Sequence, residues 1–224
     1  MRASVRAAAT MMLQIAAIGL LVLLYAYGAR IAVKAIALLA QGKETDPSGH
    51  AHPAWTLIHF ASSLLFAVLA MMQLVAAIRR RHPEFHRYAG RVAVAFGLIA
   101  AVTGASVPFA AVPPHPMVER VYILIHFAGA AACLLMGFRA ARHRTFALHR
   151  VWMMRAIATI GAVMTQRIVF PILLFSFGAE SDAGFWVAFV VAFALGWAIN
   201  LALAEGWVRW TSCAPRPSVA GLPW

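Results

Sequence analysis

Leu57-Ile58-His59-Phe60-Ala61 recurs unchanged as Leu124-Ile125-His126-Phe127-Ala128, and each copy opens a long apolar run. A second match trails each copy: His86-Arg87 with Arg91 downstream after the first, and His149-Arg150 with Arg155 downstream after the second. Within a copy the two histidines stand 27 residues apart in the first case and 23 in the second. Self-similarity on this scale marks a duplicated structural unit. Here the unit is a helical hairpin repeated in parallel, as in membrane proteins built from repeats. Two such hairpins pack as a four-helix core with quasi-twofold symmetry.

Composition supports the same reading. Of 224 residues, 63% are hydrophobic and only 12% charged, whereas a soluble chain is about half apolar and a quarter charged. A water-soluble globular domain is excluded. The fold class expected is all-α: a polytopic membrane protein with six transmembrane helices around that four-helix core. Runs long enough to cross a bilayer fall at 7–28, 55–78, 92–109, 121–138, 156–177 and 184–208. The run 7–28 is too long for the apolar core of a secretory signal and continues into a segment with Arg30 and Lys34, so it reads as a retained span. One integral domain results. The first helix and its loop occupy 1–54, the hairpin repeats 55–109 and 116–178, the sixth helix 183–208, and a tail 209–224.

The net charge of +12 suggests nucleic acid on a soluble protein, but here the bases lie between apolar runs. With the N-terminus in the cytoplasm, fourteen of the 19 Lys and Arg residues fall inside, from Arg2 and Arg6 through the Arg79 and Arg139 clusters to Arg216. Arg30, Lys34, Lys43, Arg120 and Arg167 fall outside. The positive-inside rule accounts for the asymmetry, and anionic lipid for most of the charge. No nucleic-acid partner is expected. The implied location is a bacterial inner membrane, with both termini cytoplasmic.

An ionisable residue inside a span is costly and points to function. His59 and His126 open their helices at matching depth, so symmetry allows their imidazoles to face one another. Two neutral imidazoles on opposed helices are what a haem held edge-on in a bundle requires. The bland alternative is that each ring hydrogen-bonds a neighbouring helix and glues the bundle. His86 and His149 make a corresponding inner pair, but five or six residues and a further arginine separate them from the apolar part of their helices. Interfacial phosphate or quinone contact competes with ligation there. Arg167 lies 18 residues beyond His149, about 27 Å along a helix, at the depth of the outer pair. It suits a haem propionate or a quinone carbonyl, or snorkelling to headgroups. Glu205 is expected to pair with a loop arginine, and Asn200 to lie near it.

Other features carry less. His82 and His86 flank Pro83, which tolerates only a helix's first turn, so they read as a loop running into a helix. His50, His52 and His115 are scattered over outer loops and make a weak surface-metal set. The Met pairs 11–12, 71–72 and 153–154 read as core filler, and Trp55, Trp152, Trp207 and Trp210 as an interfacial belt. Cys133 and Cys213 share no ligand spacing. Phosphate loops, a serine nucleophile elbow, a zinc helix and paired intramembrane carboxylates do not occur, which disfavours hydrolysis and proton-coupled transport.

The strings His82-Pro83-Glu84-Phe85-His86-Arg87-Tyr88-Ala89-Gly90-Arg91 and His149-Arg150-Val151-Trp152-Met153-Met154-Arg155 resemble the paired motifs of a bacterial membrane family catalogued as domain of unknown function 2306. Gly196-Trp197, Asn200-Leu201 and Ala204-Glu205 are similar to that family's last helix. The family implies no reaction. A looser similarity is to the two-haem transmembrane cytochromes b, including the ascorbate-dependent ferric reductases, whose four core helices carry one ligand each. That likeness puts His59, His126, His86 and His149 in the ligand positions, the inner pair departing by starting its helices. The expectation is therefore a membrane electron-transfer protein holding haem b, with Arg167 at a propionate and quinone or another redox protein as partner. A transmembrane oxidoreductase activity follows from it. The rival is a non-enzymatic accessory subunit or small-solute permease whose histidines are structural.

Overall fold

A computed structural model describes residues 53–110, 115–177 and 181–212, with isolated positions at 30, 37 and 41; the run 7–28, His50 and His52 lie outside the described residues. The described chain is all-helical: α1 (Pro53–Leu74), α2 (Ala76–Arg81), α3 (Pro83–Ala110), α4 (Met117–Arg142), α5 (Phe146–Phe177) and α6 (Asp182–Ser212). All but α2 are long and apolar enough to cross a membrane. With backbone bonds closed inside each segment, helices of this kind suit a bilayer.

Helix boundaries differ from those the apolar runs predict. The run 55–78 stops being one helix at Val75, which is extended (φ −73°, ψ 107°) and starts the short basic helix α2. The next run begins not at 92 but at Pro83, and the fifth not at 156 but at Phe146. Arginine, alanine and leucine are good helix formers, so the helix persists through residues whose charge ends the hydropathy signal. Pro83 stands at the first helical position, where its missing N–H costs nothing, and it drives His82 out of helical geometry, to φ −131° and ψ 64°. The turn from α4 to α5 closes through Arg144, whose φ of 58° is left-handed. There the Thr145 amide and hydroxyl both donate to the Ala140 carbonyl at 3.0 Å.

The helices pack in chain order as antiparallel neighbours: α1 on α3, α3 on α4, α4 on α5 and α5 on α6. One core cluster joins Phe66, Ala70, Ala93, Val94, Leu134 and Ala156, and a second joins Ala101, Ile123, Phe127 and Phe193. Four of these ten are alanine, as expected where helices in lipid gain little from hiding apolar surface and associate by close approach of small residues. The large side chains left exposed, such as Leu65, Val102, Leu135 and Leu203, suit acyl chains. The sixth predicted span does more than flank the core. α6 covers α5 along its length and also touches α4.

Polar pairs lock α5 to α6. The Trp197 indole N–H donates to Thr159 Oγ1 at 3.1 Å, and Asn200 Nδ2 donates to Thr165 Oγ1 at 2.6 Å and to the Gly196 carbonyl at 2.8 Å. Interhelical bonds in membrane proteins contribute about 0.6 kcal/mol on average and at most about 1.7. Thr159→Val is therefore expected to destabilise the chain by roughly 0.5–1.5 kcal/mol, measured by unfolding in mixed micelles.

Candidate functional site

The repeat places its four histidines at two levels. His86 and His149 are each the fourth residue of their helices, α3 and α5. Both are half-buried, and the two are close enough for His86 to feel the charge of His149 as well as that of Arg79. His149 Nδ1 lies 2.8 Å from the Gly137 carbonyl of α4. A carbonyl only accepts, so Nδ1 carries the proton, and in the neutral ring Nε2 keeps its lone pair. His86 Nδ1 is buried without a hydrogen-bond partner. One turn further along, Gln73 Oε1 sits 3.3 Å from where a Cβ on Gly90 would be, and its Nε2 is unpaired, as is Trp152 Nε1 one turn beyond His149. The inner pair thus starts α3 and α5, in the first turn of each, as the sequence implies.

At the other level His59 and His126 do not meet. The His59 ring leans on its own hairpin partner, with Nδ1 3.1 Å from both the Ala100 carbonyl and Thr103 Oγ1 of α3. His126 is wholly buried, and both its ring nitrogens lack partners. It is ringed by Phe193 at 4.9 Å and Trp197 at 5.4 Å, both from α6. Phe127 touches both imidazoles, 6.0 Å from His59 and 5.2 Å from His126. A phenyl ring, packed edge-on to each, borders both histidines of the outer pair.

Arg167 faces outward on α5, while its neighbour Gln166 is 0% exposed with both amide atoms unpaired. In the sequence the cation stands out and the amide does not. The signal was available, since a glutamine within an apolar stretch is costly unless satisfied. Gln166 adjoins Gly196, whose added Cβ would come within 3.1 Å of the Gln166 backbone nitrogen. It therefore borders the same turn of α6 that encloses His126.

Glu205 pairs with Arg155, Oε1 to Nε 2.5 Å, and the Arg155 guanidinium lies over Trp152 at 4.9 Å. The partner is a helical arginine of α5, not one in a loop. His115, expected from sequence to lie on an outer loop in a weak surface-metal set, is buried. Its Nδ1 is 3.0 Å from Glu119 Oε2, and its ring is 4.7 Å from that of Trp186. Among the described residues no group of three or more metal-ligating side chains converges, a test that a two-histidine haem site does not meet or fail.

The fit of a haem differs between the levels. At the inner pair one imidazole is oriented through Nδ1 by a backbone carbonyl, the usual second-shell support of a metal-bound histidine, and the other is half-buried with an unpaired Nδ1. Those residues fit. At the outer pair His59 has the same support, but a planar macrocycle between His59 and His126 requires Phe127 to turn aside. That is the weaker fit. A model of one family, described as predicted membrane protein (DUF2306), matches residues 56–208. Neither the curated proteins nor the solved structures give a match to the chain.

Proposed function

We propose, given that the chain belongs to the DUF2306 family of predicted membrane proteins, that it is a b-type cytochrome-like electron-transfer protein whose histidine pairs hold haem. The observation that carries this reading is the His149 imidazole, oriented by its 2.8 Å bond to the Gly137 carbonyl and near enough to His86, the matching residue of the repeat, to act on its charge. One-electron transfer is the chemistry that haem supplies when bound. The residues contribute the rest. His86 and His149 bind through their remaining ring nitrogens, and the bond to Gly137 fixes the tautomer. The arginines at this end, Arg79, Arg87 and Arg150, suit carboxylate side groups. Arg167 lies toward the far end of α5 and is not needed. His59 and His126 are the second, weaker pair, and quinone or another redox protein is the partner class.

Among the residues of α1 to α6 the α3 and α5 start carries the arginines of the Arg79, Arg139 and Arg150 clusters, and the opposite end only Arg120 and Arg167. This favours an inner membrane with the inner histidine pair toward the cytoplasm. The interhelical bonds of His59 and His149 favour a second reading, a non-enzymatic membrane subunit or permease with structural histidines. A reduced-minus-oxidised visible spectrum of protein purified from haem-replete cells separates the two. The cytochrome reading expects haem bands that sharpen on reduction. A colourless, fully helical preparation selects the second reading.

A further inference from the structure

We infer that the end of the bundle where α3 and α5 start holds a phospholipid with two phosphate diesters, one on Arg81 and one on Arg144. The repeat carries more than its histidines. Counted from His86 and His149, an arginine stands seven residues ahead (Arg79, Arg142), another five ahead (Arg81, Arg144), and a large apolar residue one ahead (Phe85, Leu148). Arg80 and Arg139 have no such counterpart, since His143 and Ala76 stand at the matching places. Charge that only orients a chain acts by its number near the span ends, which gives no reason for a kept register.

The fold brings the two sets to one place. Arg81 and Arg144 each precede a helix start by two residues, α3 at Pro83 and α5 at Phe146. Both helices pack on α4, and the histidines of their first turns are close enough for His86 to feel the charge of His149. Both arginines are exposed. Among the residues of α1 to α6 only Glu84 and Glu205 bring negative charge to this end, and they lie with Arg87, at 3.8 Å, and Arg155. Arg144 is also the left-handed residue that closes the turn from α4 to α5, with φ 58°, a place that glycine fills at less cost. A guanidinium held there argues that its side chain is used.

The neighbours decide between a soluble anion and a lipid. Phe85 and Leu148, each four residues after its arginine, are 43% and 48% exposed, and Tyr88 and Phe146 more so. Exposed apolar side chains interleaved with arginines suit the boundary between headgroups and acyl chains. A guanidinium pairs with a phosphate through two parallel N–H donors, so one arginine serves one phosphodiester. Arginines ahead of two neighbouring helix starts are satisfied together by phosphates that one short linker joins. The second contact is then intramolecular, and affinity rises without a new kind of bond. Lipids with a single phosphate gather there only as diffuse counter-charge. No bond is made or broken, and the site needs no haem, so it and the cytochrome reading fail separately. Arg87 and Arg150 stay with that reading.

The test titrates the purified full chain in neutral detergent with cardiolipin, which carries two phosphodiesters on one glycerol, and with phosphatidylglycerol at equal phosphate. Bound lipid is counted by native mass spectrometry. Cardiolipin is expected to bind at least about tenfold more tightly per phosphate. Arg81→Gln and Arg144→Gln should each bring it down to the phosphatidylglycerol level. Arg80→Gln and Arg139→Gln, which remove the same charge from unmatched places, should change it less than about twofold. Arg144→Gly relaxes the turn and loses the same preference, which carries the test should Arg144→Gln fold poorly. Inorganic pyrophosphate should not displace the lipid. Equal binding of the two lipids per phosphate, or equal losses in all four glutamine variants, reduces the arginines to diffuse charge and overturns the site. Displacement by pyrophosphate overturns the lipid as its occupant.

Discussion

His149→Ala abolishes the haem absorption expected of the wild-type protein, His86→Ala does the same, and His59→Ala leaves most of it. The ranking follows from how each ring is held. An iron bound by two axial imidazoles loses its site when either is removed, because a methyl group offers no lone pair. His149 is held by a second helix through its Nδ1 bond to Gly137, and His86 by burial within the first turn of α3. His59, though held by Ala100 and Thr103, has no opposed imidazole, since Phe127 packs against both it and His126. The measurement is haem per protein after extraction as the pyridine complex, alongside helix content to separate ligand loss from unfolding. His149→Ala also gives up one hydrogen bond, a cost of about 1 kcal/mol, too little to unfold a bundle on its own. Should His59→Ala and His126→Ala remove the bands while His149→Ala does not, the inner assignment is wrong and the macrocycle sits at the outer level with Phe127 displaced.

The repeat made the number and direction of the described helices legible, because Leu57–Ala61 and Leu124–Ala128 mark equivalent starts and a bilayer leaves few alternatives to a helix. What it could not convey was rotation about each axis. His126 and Phe127 are consecutive, about 100° apart on the helix, and which of the two faces the first hairpin depends on how α4 rolls against α6. Symmetry alone allows both imidazoles to face one another across the axis. The contacts from Phe193 and Trp197 show His126 turned toward α6 instead, a helix outside the repeat. Arg167 and Gln166 exchanged roles for the same reason, one residue of rotation deciding which side chain is buried. The helix starts at Pro83 and Phe146 were not legible because hydropathy ends at the arginines, whereas the helices run through them.

That dependence on α6 makes Gly196 a demanding position in the bundle. A Cβ there would lie 2.8 Å from the Ala162 carbonyl oxygen and 3.1 Å from the Gln166 amide nitrogen, both backbone atoms of α5. A clash with a side-chain tip can be relieved by a rotamer change, as at Gly137, where the flexible Met153 thioether is the neighbour. A clash with backbone is relieved only by parting the helices. Overpacking costs about 1–3 kcal/mol and more when the surroundings cannot yield, so Gly196→Ala is expected in that range and Gly196→Leu beyond it, enough to prevent α6 from docking. Parting α5 from α6 would also strain the Trp197–Thr159 and Asn200–Thr165 bonds, which makes the loss cooperative. Gly206, on the same helix, has nothing within 4 Å of its added Cβ. Gly206→Ala should therefore be neutral or stabilising by up to about 1 kcal/mol, the ordinary helix preference of alanine over glycine. Unfolding of the two alanine variants in mixed micelles decides the matter. Equal stabilities would mean that α6 does not approach α5 as closely as the Gly196 contact requires, and the aromatic wall around His126 would go with it.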